Sequence, residues 1–147
     1  HPKYISKIEL AKGIPSISYN LKHGGSAVID RKNARQSITE ISRLGKYIEE
    51  NNYAACIFPE GTRGKDGILK PFKESGIKTL LKAAPSALIV PYVICYNYRL
   101  MQFGTYPMAF GETLHYKVLD PIEPKDMSFE ALIEEVEHVI KKELKQL

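Results

Sequence analysis

The sequence has little cysteine and no long apolar run, and each scarcity closes off a class of protein. Only two cysteines occur in 147 residues. Cys56 and Cys95 sit in the apolar runs YAACIF and VICYNY, where buried thiols are the ordinary expectation. Their separation suits neither a redox pair nor a metal site, so no metal is expected. A chain of this length buries roughly two thirds of its unfolded surface as one domain and needs no crosslinks. The longest apolar stretch, SALIVPYVICY, is too short and too interrupted to span a bilayer, and no secretory signal opens the sequence. Any membrane contact is therefore expected to be peripheral or to lie outside this chain. The opening HPKYISKIELAKG carries no initiating methionine, which raises the expectation of a processed product or an excerpt.

Several functional signatures are also missing. GTRGKDG superficially resembles a phosphate-binding glycine loop, but Lys65 is followed by Asp66 rather than a hydroxyl residue, so it is not a Walker loop. Nucleotide hydrolysis is not expected. No paired-glycine dinucleotide signature occurs, the histidines have no metal-ligand spacing, and Ser, His and Asp form no nucleophile elbow.

What is present is positive charge, unevenly spread. The formal net charge is +4, yet residues 1–35 hold seven Lys/Arg against two acids while residues 120–147 hold four against eight. The basic end favours an anionic partner and leaves lipid headgroups, phosphorylated metabolites and nucleic acid all open.

Pattern gives an alternation of strands and helices. YISK is expected to be a short edge strand, and GGSAVIDRKN a glycine turn, a short buried strand and a turn into a helix. Asn33 caps that helix with Gln36 three residues on, and Ile38, Ile41, Leu44 and Ile48 form its apolar stripe up to Asn51 and Asn52. YAACIF reads as an inner strand feeding the turn PEGTR. FKESGIKTLLKAA gives a second helix through Ile77, Leu80, Leu81 and Ala84, ended by Pro85. SALIVPYVICYNY must bend or lose a ladder bond at Pro91. PMAF and ETLHYKVLD read as further strand, and a terminal helix turns Phe129, Leu132, Ile133, Val136, Ile140 and Leu144 inward. The expected fold is α/β, a central mixed, mainly parallel sheet packed with helices, in one domain over residues 1–147.

The turn after YAACIF is the main candidate site. Pro59 restricts the backbone and Gly61 accepts a turn conformation or a close ligand, while Thr62 and Arg63 supply donors. An arginine offers a planar fork for two phosphate oxygens, although a weak surface ion pair with Glu60 would use the same residues. Arg31 follows another strand, and in a parallel sheet both guanidiniums would project from one carboxyl-end crevice. Asp30 would then orient Arg31 or cap the next helix, with an ordinary solvated salt bridge an equal alternative. Lys73 adds longer-range attraction or is simply a solvated helix lysine. A carboxylate beside a phosphate is repelled, so Glu60 suits substrate hydroxyls or the turn's own amides better; the role of general base needs a raised pKa or special geometry.

These segments resemble the lysophosphatidic-acid and glycerol-phosphate acyltransferase family. The match rests on FPEGTR at 58–63, supported by GSAVIDR at 25–31, PFKESG at 71–76 and IVPYV at 89–93 in the expected order. The resemblance implies transfer of a fatty acyl group from acyl-CoA or acyl-carrier protein to glycerol 3-phosphate or its 1-acyl form, in phospholipid biosynthesis, with no cofactor. It implies substrate binding by Arg31, Glu60, Gly61, Thr62 and Arg63, at a peripheral membrane surface on the cytoplasmic side. In that family Asn-His, four residues and Asp supply the base. This chain has no Asn-His pair, so the catalytic segment is expected before residue 1 and the chain alone is expected to bind without turning over.

His115 and Asp120 reproduce the bare spacing, but after FPEGTR, without the Asn, and on opposite faces of an extended strand. His23 reads as a loop residue beside two glycines, His1 is terminal, and His138 sits in the last helix away from any motif. YNYRLMQFGTYPMAF gathers aromatics, methionine and arginine, which suits a sheet edge and core, a lipid-facing surface or stacked bases; no recognised motif supports nucleic-acid binding.

Overall fold

The computed structural model describes residues 2–12, 15–62, 64, 67–103 and 108–145, with the side chain of Asp126 set aside. The chain divides into two compact units, one of residues 1–59 and 73–87 and one of residues 60–72 and 88–147.

The first unit is a parallel sheet between helices. Its strands are β1 (Lys3–Lys7), β2 (Ala27–Ile29) and β3 (Ala55–Cys56), in the order β2-β1-β3. Ile5 pairs with Ala27 on one side, and Tyr4 with Cys56 on the other. The segment YISK is thus the central strand of the three, not the edge strand expected. Its two faces meet different neighbours: Ile5 joins the core, whereas Tyr4 and Ser6 line a shallow groove with Leu10, Ile17 and Leu21. The groove side is formed by α1 (Pro15–His23), a helix that sequence pattern did not pick out. Proline is well placed at its first position, and Leu21 is its one buried residue. His23 is consequently the last helical residue rather than part of a loop, with its ring 4.6 Å from that of Tyr19.

The other face carries α2 (Ala34–Asn51) and α3 (Glu74–Ala83). Asn33 caps α2 as expected, accepting from the Gln36 amide at 3.0 Å, and Asn52 closes it in the left-handed conformation. Ile41, Leu44 and Ile48 bury with Leu80, Ala84 and Ala27 to make the core. Ile38, three residues ahead at the margin of this stripe, is 48% exposed instead. The two helices cross tightly: a Cβ added at Gly45 would lie 2.5 Å from Ala83 Cβ. Only two residues of YAACIF form strand, the rest continuing as irregular chain toward Pro59.

The second unit is built on β4 (Tyr92–Cys95) and β5 (His115–Val118), paired antiparallel, with α4 (Phe129–Leu144) packed on β4. The ladder breaks where proline requires it. Ile89 forms a separate bridge to Ile122, Pro91 contributes only its carbonyl, accepting from Leu119 at 2.9 Å, and β4 begins one residue later. Val93 and Cys95 face inward with Leu132, Ile133, Val136 and Ile140 among the buried residues of α4. Lys117 on β5 donates to Glu143 on α4 at 2.7 Å. Residues 108–110, expected as strand, are irregular. The architecture is α/β with parallel and antiparallel strand pairing and packing helices.

Candidate functional site

In the first unit, the β2–α2 connection is pinned almost residue by residue. The Asp30 amide donates to Gln36 Oε1 at 2.9 Å, and Gln36 Nε2 donates to the Val28 carbonyl at 3.0 Å. The Asp30 carbonyl accepts from Ser37 Oγ and from the Asn33 amide, while its carboxylate accepts from the Lys32 amide at 2.9 Å. Asp30 therefore shapes the turn rather than forming the expected contact with Arg31 or capping α2, a task that belongs to Asn33. Arg31 stands exposed on this fixed corner. Gln36, read only as a capping partner, takes part in the cap through its amide and with its side chain also staples the helix back onto the strand.

In the second unit, the turn at Glu60–Thr62 is closed by a contact whose donor the sequence did not single out. Glu60 Oε2 accepts a hydrogen bond from the backbone amide of Lys70 at 2.9 Å. Of the two acceptor roles weighed for Glu60, the structure shows the one within its own loop. Lys70 Nζ also donates to Thr62 Oγ1 at 3.4 Å. Gly61 has φ +68, a conformation that a residue with a Cβ rarely adopts, so glycine is required for the turn to fold back. Arg63 lies outside the described residues, as does His1. Thr62 is exposed, and Glu60 and Gly61 are half-buried.

Lys73 is the N-cap residue of α3, with its amide donating to the Pro59 carbonyl at 2.8 Å and its side chain exposed. Glu60 and Lys70 are ten residues apart, and the donor is a backbone amide, so no residue type marks the pair in sequence. His115 is exposed on β5 and meets the Tyr96 ring edge-on at a centroid distance of 5.7 Å. Burial pushes the thiols of Cys56 and Cys95 up, and for Cys95 the Glu143 carboxylate adds to the effect. Among the described residues, no group of three His, Cys, Asp or Glu could hold a metal, and no helix is long and apolar enough to cross a membrane.

Comparison with known proteins gives consistent matches. The family model "Acyltransferase" matches residues 1–95. A 1-acyl-sn-glycerol-3-phosphate acyltransferase from Limnanthes douglasii is 30% identical over 104 residues, covering 71% of this chain and 36% of that protein. The enzyme of the same name from Cocos nucifera is 39% identical over 66 residues, 45% of this chain and 21% of its own. The chain thus spans well under half the length of these curated relatives. The crystal structure of the 1-acyl-sn-glycerophosphate (LPA) acyltransferase from Thermotoga maritima superposes with a TM-score of 0.70, at 24% identity, over 99% of this chain and 56% of that one. That likeness establishes the fold as glycerophosphate acyltransferase-like.

Proposed function

This chain belongs to the acyltransferase family, and on that premise we propose that it carries the acceptor-binding part of a 1-acylglycerol-3-phosphate O-acyltransferase-like enzyme. Both units serve as parts of one partial acyltransferase domain over residues 1–147. The acceptor is 1-acylglycerol 3-phosphate or glycerol 3-phosphate. Arg31 and Arg63 grip its phosphate, Thr62 and the Gly61 turn bound the site, and Glu60 holds the turn closed. The observation that carries this reading is the Glu60–Lys70 closure, which spends the carboxylate on the loop and leaves the phosphate to the arginines.

In the reaction proposed, an acceptor hydroxyl attacks the thioester carbonyl of acyl-CoA or acyl-carrier protein. The C–O bond forms, the C–S bond breaks and the carrier thiol leaves. The thioester is already activated, so no acyl-enzyme is needed. A base must take the hydroxyl proton, and general acid–base help of this kind is worth about 10²- to 10⁴-fold. The sequence has no Asn-His pair to supply it. The reading includes a peripheral location at a membrane surface, on the cytoplasmic side, supported by the lipid character of the 1-acyl acceptor.

Titration calorimetry of the purified chain with glycerol 3-phosphate tests the reading. Binding is expected for the unaltered chain, and Arg63→Ala is expected to weaken it about tenfold or more, as loss of a bidentate phosphate contact should. Affinity unchanged by Arg63→Ala overturns the assignment. The same missing pair favours a second reading, a non-catalytic module for phosphate or anionic lipid. Release of free CoA from an acyl-CoA by the chain alone, dependent on acceptor, would exclude that reading and turn the search for a base to His115.

A further inference from the structure

The segment from Glu60 to Lys70 is tied at its ends, and a second contact is made at Gly67. Gly67 has φ +76, and a Cβ there would lie 2.7 Å from Cε1 of Tyr98 and 3.4 Å from Cδ1 and Cζ. The edge of the Tyr98 ring is therefore seated against the loop backbone, closer than any other residue type at 67 would allow. Glycine is needed twice over, for its backbone conformation and for the ring.

Tyr98 lies in the 3-10 turn Asn97–Met101 that follows β4, and that turn starts from an unusual residue. Tyr96 is in the left-handed conformation, φ 65 and ψ 9, which a bulky side chain seldom adopts. The conformation is held from three sides. The Arg99 guanidinium stacks 4.3 Å from the Tyr96 ring centroid, the Arg99 amide donates to the Tyr96 carbonyl at 3.0 Å, and His115 packs edge-on at 5.7 Å. Glu112 lies 4.0 Å from the same guanidinium. Arg99 is held above its ordinary value first by its hydrogen bond with Tyr98 and also by Glu112, although it is exposed. Strain that a surrounding frame keeps in place is a pointer to use. Here its effect is to end β4 abruptly and send Tyr98 back onto Gly67.

We propose that Tyr98 is a positioning residue for the Glu60–Lys70 loop, presetting it for an anionic phosphate ligand through the contact of its ring edge with Gly67. The inference rests on the reading of that loop as the acceptor site. A loop anchored by Glu60 at its base and by Tyr98 at Gly67 has less conformational freedom left to lose when the ligand binds, and the difference appears as affinity. Tyr98 itself need not touch the ligand.

The test uses the full chain and glycerol 3-phosphate, with calorimetry for affinity and amide hydrogen exchange at Gly64 and residues 67–70 for loop order. Tyr98→Ala is expected to weaken binding by about three- to tenfold and to speed exchange in the loop, with exchange in α2 and α4 unchanged. Tyr98→Phe keeps the ring edge and is expected to match the unaltered chain in both readouts. Gly67→Ala attacks the contact from the loop side and is expected to weaken binding as well, which keeps the test open should Tyr98→Ala fail to fold. Wild-type binding that falls with Arg63→Ala but is untouched by Tyr98→Ala, with loop exchange also unchanged, overturns the positioning role and spares the acceptor site. Tyr98→Phe as weak as Tyr98→Ala also overturns it, by assigning the effect to the hydroxyl. If the unaltered chain binds no glycerol 3-phosphate while Tyr98→Ala still loosens the loop, it is the acceptor reading that fails, and the part of the proposal that joins Tyr98 to a phosphate ligand falls with it.

Discussion

Glu60 and Lys70 close an eleven-residue loop through one hydrogen bond, the Lys70 amide donating to Glu60 Oε2 at 2.9 Å. A carboxylate is not required for this, since a side-chain amide oxygen accepts as well. Glu60→Gln is therefore expected to bind glycerol 3-phosphate within about twofold of the unaltered chain, whereas Glu60→Ala loses a bond worth about 1 kcal/mol, or roughly fivefold. Calorimetry on the two variants checks this. Equal losses in both would mean that the charge matters and that Glu60 meets the ligand directly.

The crossing of α2 and α3 sets a limit on residue 45. Replacing an interior helical glycine with alanine ordinarily gains about 1 kcal/mol of helix propensity. At Gly45 the added Cβ would meet Ala83 Cβ at 2.5 Å and the Leu80 carbonyl at 3.0 Å, so the crossing must open. Gly45→Ala is expected to lower stability by about 1–3 kcal/mol despite the propensity gain. Ala83→Gly in the same chain should return part of the loss. Urea unfolding of the single and double variants measures both effects, and a stabilised Gly45→Ala would contradict the packing.

The Glu143 carboxylate acts on the Cys95 thiol through its charge. Burial comes first and Glu143 second in pushing that thiol up, so the folded chain keeps the proton where an unfolded one releases it. The sign follows. The contribution to stability is full below the ordinary thiol value of 9.0 and is lost as pH rises through the higher folded value. Glu143→Gln is expected to shift the pH profile of Cys95 alkylation downward and leave that of Cys56, which burial alone raises, in place. Iodoacetamide labelling followed by peptide mass spectrometry reads each cysteine separately. A Cys95 profile that does not move would remove Glu143 as a cause.

Local chemistry was legible wherever one residue type dictates the backbone. The Asn33 cap, the end of α3 before Pro85, the ladder break at Pro91 and the Gly61 turn all follow from side chains with few alternatives. Elements whose character comes from their neighbours were harder to see. β1 is central, yet it reads as an edge because polar Ser6 on its α1 side lines an open groove rather than a core. α1 buries only Leu21, too little to leave a periodic stripe. The segment FPEGTR stood out in the sequence, but the donor that closes its turn did not. Lys70 contributes a main-chain donor, and Tyr98 reaches Gly67 from thirty-one positions away through a backbone turn that no composition announces.

In the proposed function, Arg31 and Arg63 grip one phosphate. A double-mutant cycle on glycerol 3-phosphate affinity, with Arg31→Ala, Arg63→Ala and the pair measured by calorimetry, tests this directly. Two guanidiniums on a single phosphate are expected to show coupling of about 0.5 kcal/mol or more, each single variant weakening binding. Strictly multiplicative losses, or no loss from one of the two arginines, would contradict a shared phosphate site.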